Sequence, residues 1–287
     1  NKEVLRNPYS TAKEVVKENI VLSPEQNKAY LQNKKLLDEG GVGLLFGVTG
    51  SGKTQIYLKL IDDVLDAGRD AIVLVPEISL TPQVLEKFHS RYGSKTAVIH
   101  SGLSLGERND EFKRIDRGEA KIVIGTRSAV FAPVHNLGII IIDEEQEQTY
   151  KSERTPRYNA KDVARYRTKY NNALLLLGSA TPSIESYSNA LKGNYTLSVL
   201  NERYGNAVLP NVVTVDMKNE LRNGNKSCIS SVLRESLIET VENGKQAILL
   251  INRRGYNTFI ACNECGHILT CPNCSISLTY HSYNNRL

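Results

Sequence analysis

No run of apolar residues in this 287-residue chain approaches the roughly 18 needed to cross a bilayer. Runs such as those at residues 139–142 and 173–177 have the length of buried strands. The beginning, Asn1-Lys2-Glu3-Val4-Leu5, has neither an apolar signal-peptide core nor an initiator methionine, and the sole methionine is Met217. These absences predict a cytoplasmic protein with no membrane partner, represented by a fragment of a longer product. An excess of one charge is also missing. Thirty-six basic residues against 31 acidic leave +5, which permits a polyanionic partner without demanding one. Internal repeats and low-complexity tracts are lacking, and 40% apolar with 23% charged residues excludes wholesale disorder. At about 150 residues per domain, the length predicts two domains.

What the chain does have is alternation. A polar leader, 1–22, precedes Ser23-Pro24-Glu25, an N-cap with proline in the first turn, which opens a helix ending near Gly40. Nearly continuous apolar runs at 42–46, 71–75, 97–99, 121–124, 139–142 and 173–177 predict strands buried on both faces. Helices are predicted at 53–67, 82–92 and 104–117; the last opens with the capping box Ser104-x-x-Glu107 and stops at Gly118. The pattern predicts an α/β class, a doubly wound, mostly parallel sheet over residues 23–200. A smaller unit is expected over 201–261, with strands at 212–215 and 246–251 around a helix at 230–243. Two strands and one helix bury too little apolar area to stand alone, so this unit reads as incomplete.

Gly47-Val48-Thr49-Gly50-Ser51-Gly52-Lys53-Thr54 matches the phosphate-loop pattern and lies between a predicted strand and a predicted helix, the context the pattern requires. Small residues let backbone N–H groups curl around phosphate at a helix N-terminus, Lys53 reaches the terminal phosphates, and the Thr54 hydroxyl ligates Mg²⁺. This predicts ATP as cofactor, bound through Gly47, Gly50, Ser51, Gly52, Lys53 and Thr54. The acids expected opposite it are Asp143, as a magnesium ligand, and Glu144, as the base that activates water; both end the isoleucine run 139–142. Glu145 has no role assignable from spacing. Gly178-Ser179-Ala180-Thr181-Pro182-Ser183 follows another buried run and reads as a helix cap through Thr181 and Pro182, with γ-phosphate sensing by Ser179 and Thr181 as the other reading. Between 145 and 169, Tyr150, Lys151, Arg154, Arg157, Tyr158, Lys161, Arg165, Tyr166 and Arg167 interleave rings with cations. Such a stretch suits stacked bases and phosphates, or else a solvated basic surface.

Taken in order, the phosphate loop, Val75-Pro76-Glu77-Ile78-Ser79-Leu80-Thr81-Pro82-Gln83, His100-Ser101-Gly102, Gly125-Thr126-Arg127-Ser128-Ala129, Asp143-Glu144-Glu145, 178–183 and Asn252-Arg253-Arg254-Gly255-Tyr256 resemble the PriA family of bacterial primosomal helicases, within superfamily 2. The match covers nearly the whole chain from about residue 20. The resemblance implies a RecA-like helicase lobe and the start of a second, and an ATP-dependent 3′-to-5′ DNA helicase that recognises abandoned or stalled forks and assembles a primosome. It also implies forked and single-stranded DNA, primosome proteins and single-strand-binding protein as partners. Lys53, Asp143 and Glu144 fall on catalytic positions, Gln26 on an adenine-reading position, and Ser79, Thr126, Arg127, Tyr150, Arg157 and Tyr158 on DNA-contacting ones. Gln146, Ser179 and Thr181 fall where the lobes are coupled. Gln26 reads equally as an ordinary helix residue. The family usually has histidine at the position of Gln146, and histidine and arginine at those of Asn159 and Lys161; a glutamine hydrogen-bonds but carries no proton. Another superfamily 2 translocase, or a passive zinc-dependent docking module, are the alternative functions.

Four of the five cysteines form Cys262-x-x-Cys265 and Cys271-x-x-Cys274, within the expected cysteine-rich segment 262–287. In a cytosolic context such pairs predict zinc before disulfides. Five residues between the pairs are too few for one site, whose pairs usually stand roughly 15 to 20 apart, so each pair reads as half of a different site. The resemblance implies two zinc ions in the intact protein. A fragment with half-sites and a partial second lobe is expected to hold little zinc and to hydrolyse ATP feebly.

Overall fold

The computed structural model describes residues 19–153, 155–203, 210–250, 267 and 270–272. The chain divides into two compact units, Asn1–Leu209 and Pro210–Leu287. In the first, β1 (Gly41–Gly47), β2 (Asp70–Leu74), β3 (Thr96–Ile99), β4 (Ile122–Gly125), β5 (Leu137–Asp143), β6 (Leu174–Ser179) and β7 (Thr196–Leu200) form a single sheet. The spatial order is β3-β4-β2-β5-β6-β1-β7 and every pairing is parallel. The expected doubly wound parallel sheet is borne out.

Helices α1 (Pro24–Glu39), α2 (Lys53–Asp66) and α3 (Pro82–Tyr92) cover one face, and α4 (Leu105–Asp116), α5 (Ala160–Tyr170) and α6 (Ile184–Leu191) the other. The isoleucine run shows why the strands read as continuous apolar stretches. Ile139 and Ile141 enter the core that holds Tyr30, Ile56 and Phe88, whereas Ile140 and Ile142 enter the core with Ile115, Ala160 and Ala164. A strand covered on both faces has no polar side to alternate with. Strand β7 escaped sequence reading because it is the sheet edge, where Ser198 is buried and Val199 exposed.

Capping is as expected at α1, where Ser23 and Gln26 complete a reciprocal box, and at α4, where Ser104 and Glu107 do so. Helix α6 differs. Its N-cap is Ser183, which accepts from the Ser186 N–H, and not Thr181; proline at 182 lies outside the helix. Thr181 instead donates its N–H to Ser179 Oγ.

The second unit contains α7 (Met217–Arg222) and α8 (Ser231–Glu242), the latter where a helix was expected. Glu220 accepts from the Ser231 N–H and hydroxyl and from Asn225, fixing the start of α8. The expected strands at 212–215 and 246–251 are not formed among the described residues; 211–216 and 245–250 are irregular, and Ile248 and Leu250 are exposed. A strand needs a neighbour for its ladder, and no partner lies alongside either segment among the described residues.

Candidate nucleotide site and adjoining cleft

The parallel register lays three strand ends side by side: Phe46 pairs with Ser179, and Asp143 with Gly178. Beyond β1 the chain turns through residues 48–52 into α2. Gly47 ends the strand where a Cβ would fall 2.6 Å from Ser51 Oγ and 3.1 Å from Leu200 Cβ. Gly52 caps α2 at φ 81°, a left-handed conformation natural to glycine, and supplies no side-chain cap. The first-turn N–H groups of α2 thus suit an anion. Lys53 Nζ spans the loop to the Gly47 carbonyl at 2.8 Å, and Ser51 Oγ is buried with no partner. Thr54 stands half-buried in the first turn of α2. An uncapped helix start, an orphan hydroxyl and an ammonium at one bend are a donor set that fits phosphate, and the oxygens of Thr54 and Asp143 are of the kind that suits its magnesium.

Gln26 is not an ordinary exposed helix residue; it is only 2% exposed. Its Nε2 donates to the Ser51 carbonyl at 2.8 Å and its Oε1 accepts the Ser23 N–H at 2.9 Å. The amide therefore ties the start of α1 to the phosphate loop, and reading adenine would have to share these bonds.

The three acids after β5 have three different environments. Asp143 Oδ1 accepts the Tyr57 hydroxyl at 2.9 Å. Burial pushes its carboxyl above the ordinary value, against the Tyr57 bond, and the neighbouring Glu144 charge adds to the rise while Lys53 opposes it. Glu144 adopts φ 47°, an uncommon conformation for a residue with a side chain. Its Oε2 accepts Gln146 Nε2 at 2.9 Å, and Gln146 Oε1 accepts the Ser179 hydroxyl at 2.6 Å, so the three coupling candidates Gln146, Ser179 and Thr181 form one chain of bonds leading from Glu144.

Glu145 is fully buried. It accepts Lys161 Nζ at 2.9 Å, the Ser183 N–H at 2.6 Å, the Ser183 hydroxyl at 3.0 Å and the Ser186 hydroxyl at 2.8 Å. Burial pushes the carboxyl up, but the donations from Ser183, Lys161 and Ser186 outweigh it and hold the group below its usual value. Glu145 thus pins the starts of α5 and α6 to the end of β5. Lys161 serves as its cation, and Asn159 caps α5 by accepting the Lys161 N–H.

Beside these acids, a cleft of about 310 Å³ opens at the ends of β2 and β4, lined by Glu77, Ser101, Thr126, Arg127 and Tyr158. Ser79 closes a 3₁₀ turn at Glu77–Ser79, and Thr126 is buried at the start of another, Arg127–Phe131. Arg127 Nη1 donates to the carbonyls of Thr149 and Lys151 at 3.0 and 2.6 Å, with its guanidinium over the Tyr158 ring. Arg157 is exposed. Tyr150 corrects an expectation: it is 1% exposed, and its hydroxyl donates to the carbonyls of Asp143 and Leu74 at 2.6 and 3.1 Å. Tyr150 lines the floor of the cleft, but with so little of its ring exposed it presents no open face for a base and braces the strand end instead.

A family model described as DEAD/DEAH box helicase matches residues 24–190. The chain belongs to the DEAD/DEAH box helicase family. It is 52% identical to "Replication restart protein PriA" of Bacillus subtilis (strain 168) over 99% of this chain and 36% of that protein. The counterpart from Synechocystis sp. is 48% identical over 83% of this chain and 29% of that protein. The chain therefore spans about a third of the length of the curated relatives it matches. Among solved structures, RecG bound to a three-way DNA junction superposes with a TM-score of 0.50 at 24% identity, over 66% of this chain and 25% of that one, which supports the RecA-like fold of the lobe. The resemblance read from the motifs is borne out.

Within this helicase lobe, sequence reasoning missed Tyr57 and Glu145. Tyr57 lies one helical turn beyond Lys53, a spacing that places both toward the same side of α2. Glu145 gave no comparable signal, since its partners are 16 to 41 residues distant. Of the four paired cysteines, Cys262, Cys265 and Cys274 lie outside the described residues; among the described ones no cluster of metal-binding side chains occurs.

Replacing Tyr57 by Phe is expected to weaken magnesium-dependent nucleotide binding by about tenfold or more, the worth of a hydrogen bond to a charged group. Titration of a fluorescent nucleotide should show no such loss in EDTA; equal affinity of the two proteins in magnesium would count against the bond. For Glu145→Gln, urea denaturation at pH 7 should show a loss of about 2 kcal/mol. Because the folded carboxyl lies below its ordinary 4.5, this difference is fully present above about that pH and shrinks as the pH falls through the lower folded value. A difference independent of pH would mean that the charge contributes nothing.

Proposed function

We propose that this chain is the ATP-binding motor lobe of a replication-restart DNA helicase. One observation carries the reading: the phosphate loop and Asp143-Glu144 lie together at the carboxyl ends of neighbouring strands, and Glu144 is joined through Gln146 to Ser179. Lys53 and the start of α2 would hold the phosphates, and Thr54 with Asp143 the Mg²⁺. Bound there, magnesium ATP supplies the phosphoanhydride whose hydrolysis powers translocation. Glu144 takes the proton from water at its carboxylate, and Gln146 orients that carboxylate. Ser179 and Thr181 pass the state of the site toward α6. Tyr57 keeps Asp143 facing the loop.

DNA enters through the cleft, where Thr126, Arg127 and Tyr158 supply a hydroxyl, a cation and a half-buried ring, and the motif resemblance adds Ser79 and Arg157 as further contacts. The motif resemblance supports 3′-to-5′ movement, recognition of stalled forks, and assembly with primosome and single-strand-binding proteins in the cytoplasm. The relatives' designation as replication restart proteins points the same way. No helix among the described residues is long and apolar enough to cross a membrane. Cys262, Cys265, Cys271 and Cys274 would hold zinc as two half-sites, since thiolates are a donor set that suits it. Metal analysis of the full-length protein should return two zinc ions per chain, and fewer when Cys262 and Cys265 are replaced by Ser.

The decisive measurement is ATP turnover by the full-length protein with and without forked DNA. Forked DNA should stimulate turnover, and Lys53→Ala should lower it by about 10²-fold or more while DNA binding persists. Turnover that ignores DNA would favour a general superfamily 2 ATPase. No turnover in the unmodified protein would favour a docking module.

A further inference from the structure

With Tyr150 in the core, the accessible rings of the basic stretch lie further along, on α5. Tyr166 and Tyr170 are 72% and 81% exposed, unusual for tyrosine. They stand one helical turn apart with planes 15° from parallel and centroids 6.4 Å apart. That separation is close to two steps of the roughly 3.4 Å rise along one nucleic-acid strand. The pair therefore offers flat, uncovered faces at a spacing commensurate with a stacked single strand.

Their placement ties them to the cleft. At about 100° per residue, Tyr166 and Tyr170 occupy one stripe of α5, with Arg167 flanking it on one side and Arg165 and Lys169 on the other. Arg167 donates to the Val130 carbonyl, so this flank adjoins the 3₁₀ turn Arg127–Phe131. Phe131 is half exposed and meets Tyr158 edge to face at 4.9 Å. The opposite flank carries Arg165, whose guanidinium lies over Tyr195. Arg167 thus links the helix that carries Tyr166 and Tyr170 to the turn whose Phe131 meets Tyr158 of the cleft. Charge is concentrated on the same helix: α5 carries Lys161, Arg165, Arg167 and Lys169 against the single acid Asp162, and exposed Lys169 precedes Tyr170 and lies three residues beyond Tyr166.

We propose that Tyr166 and Tyr170 form a second nucleic-acid contact, a platform on which bases of a single strand leaving the cleft stack while Lys169 meets a phosphate. The proposal rests on the reading that the chain binds DNA and adds a contact that none of the helicase motifs contains. A ring face accepts any base, so the platform gives grip without sequence preference.

The test uses the full-length protein and an oligothymidylate carrying 5-iododeoxyuridine at successive positions. Irradiation followed by peptide mass spectrometry should place cross-links on Tyr166 or Tyr170. In fluorescence anisotropy, Tyr166→Ala and Tyr170→Ala should each weaken single-strand binding by at least about fivefold. Phe at both positions should restore it, and the salt slope should stay unchanged because no phosphate contact is lost; Lys169→Ala should instead lower that slope by about one. Thermal unfolding of the Ala variants, expected to match the unmodified protein, separates lost contact from lost fold. Affinity of the double Ala variant within twofold of the original, or cross-links confined to cleft residues, would overturn the platform and mark the pair as a protein-docking patch or idle surface. Failure of the unmodified protein to bind single strands would overturn the DNA reading as well.

Discussion

A missing side chain at Gly178 sets the geometry of the candidate site. A Cβ there would fall 1.7 Å from the Tyr57 hydroxyl and 3.4 Å from Asp143 Oδ1. Only because β6 carries no side chain at this point does the helix behind the phosphate loop reach across the sheet to the end of β5, two strands away from β1. The close approach joins the two halves of the proposed nucleotide site through protein atoms alone. The next residue on the same strand, Ser179, engages Gln146, so one strand end serves both contacts.

The local grammar of the first unit was largely legible. Buried parallel strands announce themselves by lacking a polar face, and helices by their caps, so six of the strands and helices α1 to α4 follow from the chain itself, whereas α5 lies within the stretch read only for its cations and rings. The failures have physical causes. At the edge, β7 is half solvated and loses that signature. The run around Val212 has strand propensity, but propensity without a ladder partner does not make a strand. Tyr150 and Tyr158 look alike in sequence and both line the cleft, yet one is anchored in the core and the other only half-buried; burial is decided by distant chain, here Leu74 and Arg127.

The site was legible where chemistry demands a residue type at a spacing and illegible where demand is met from afar. Lys53 and Asp143 were readable because glycine, lysine and acid have few substitutes beside phosphate. Glu145 was not, since nothing nearby foretells that Ser183, Ser186 and Lys161 will converge on it. Three consecutive acids thus divide into one facing a tyrosine, one facing an amide and one sealed within a ring of donors. Their sequence similarity conceals this division of labour.

The left-handed backbone at Glu144 opposes folding and chemistry to each other. Glycine or asparagine would occupy that conformation more comfortably, since a longer side chain there is held against its own preference by the surrounding structure. Natural drift toward a sturdier lobe therefore leads away from the proposed base. Enhanced robustness at this one position would come at the expense of the proposed motor activity, and an accumulation of such changes would leave a well-folded but silent protein.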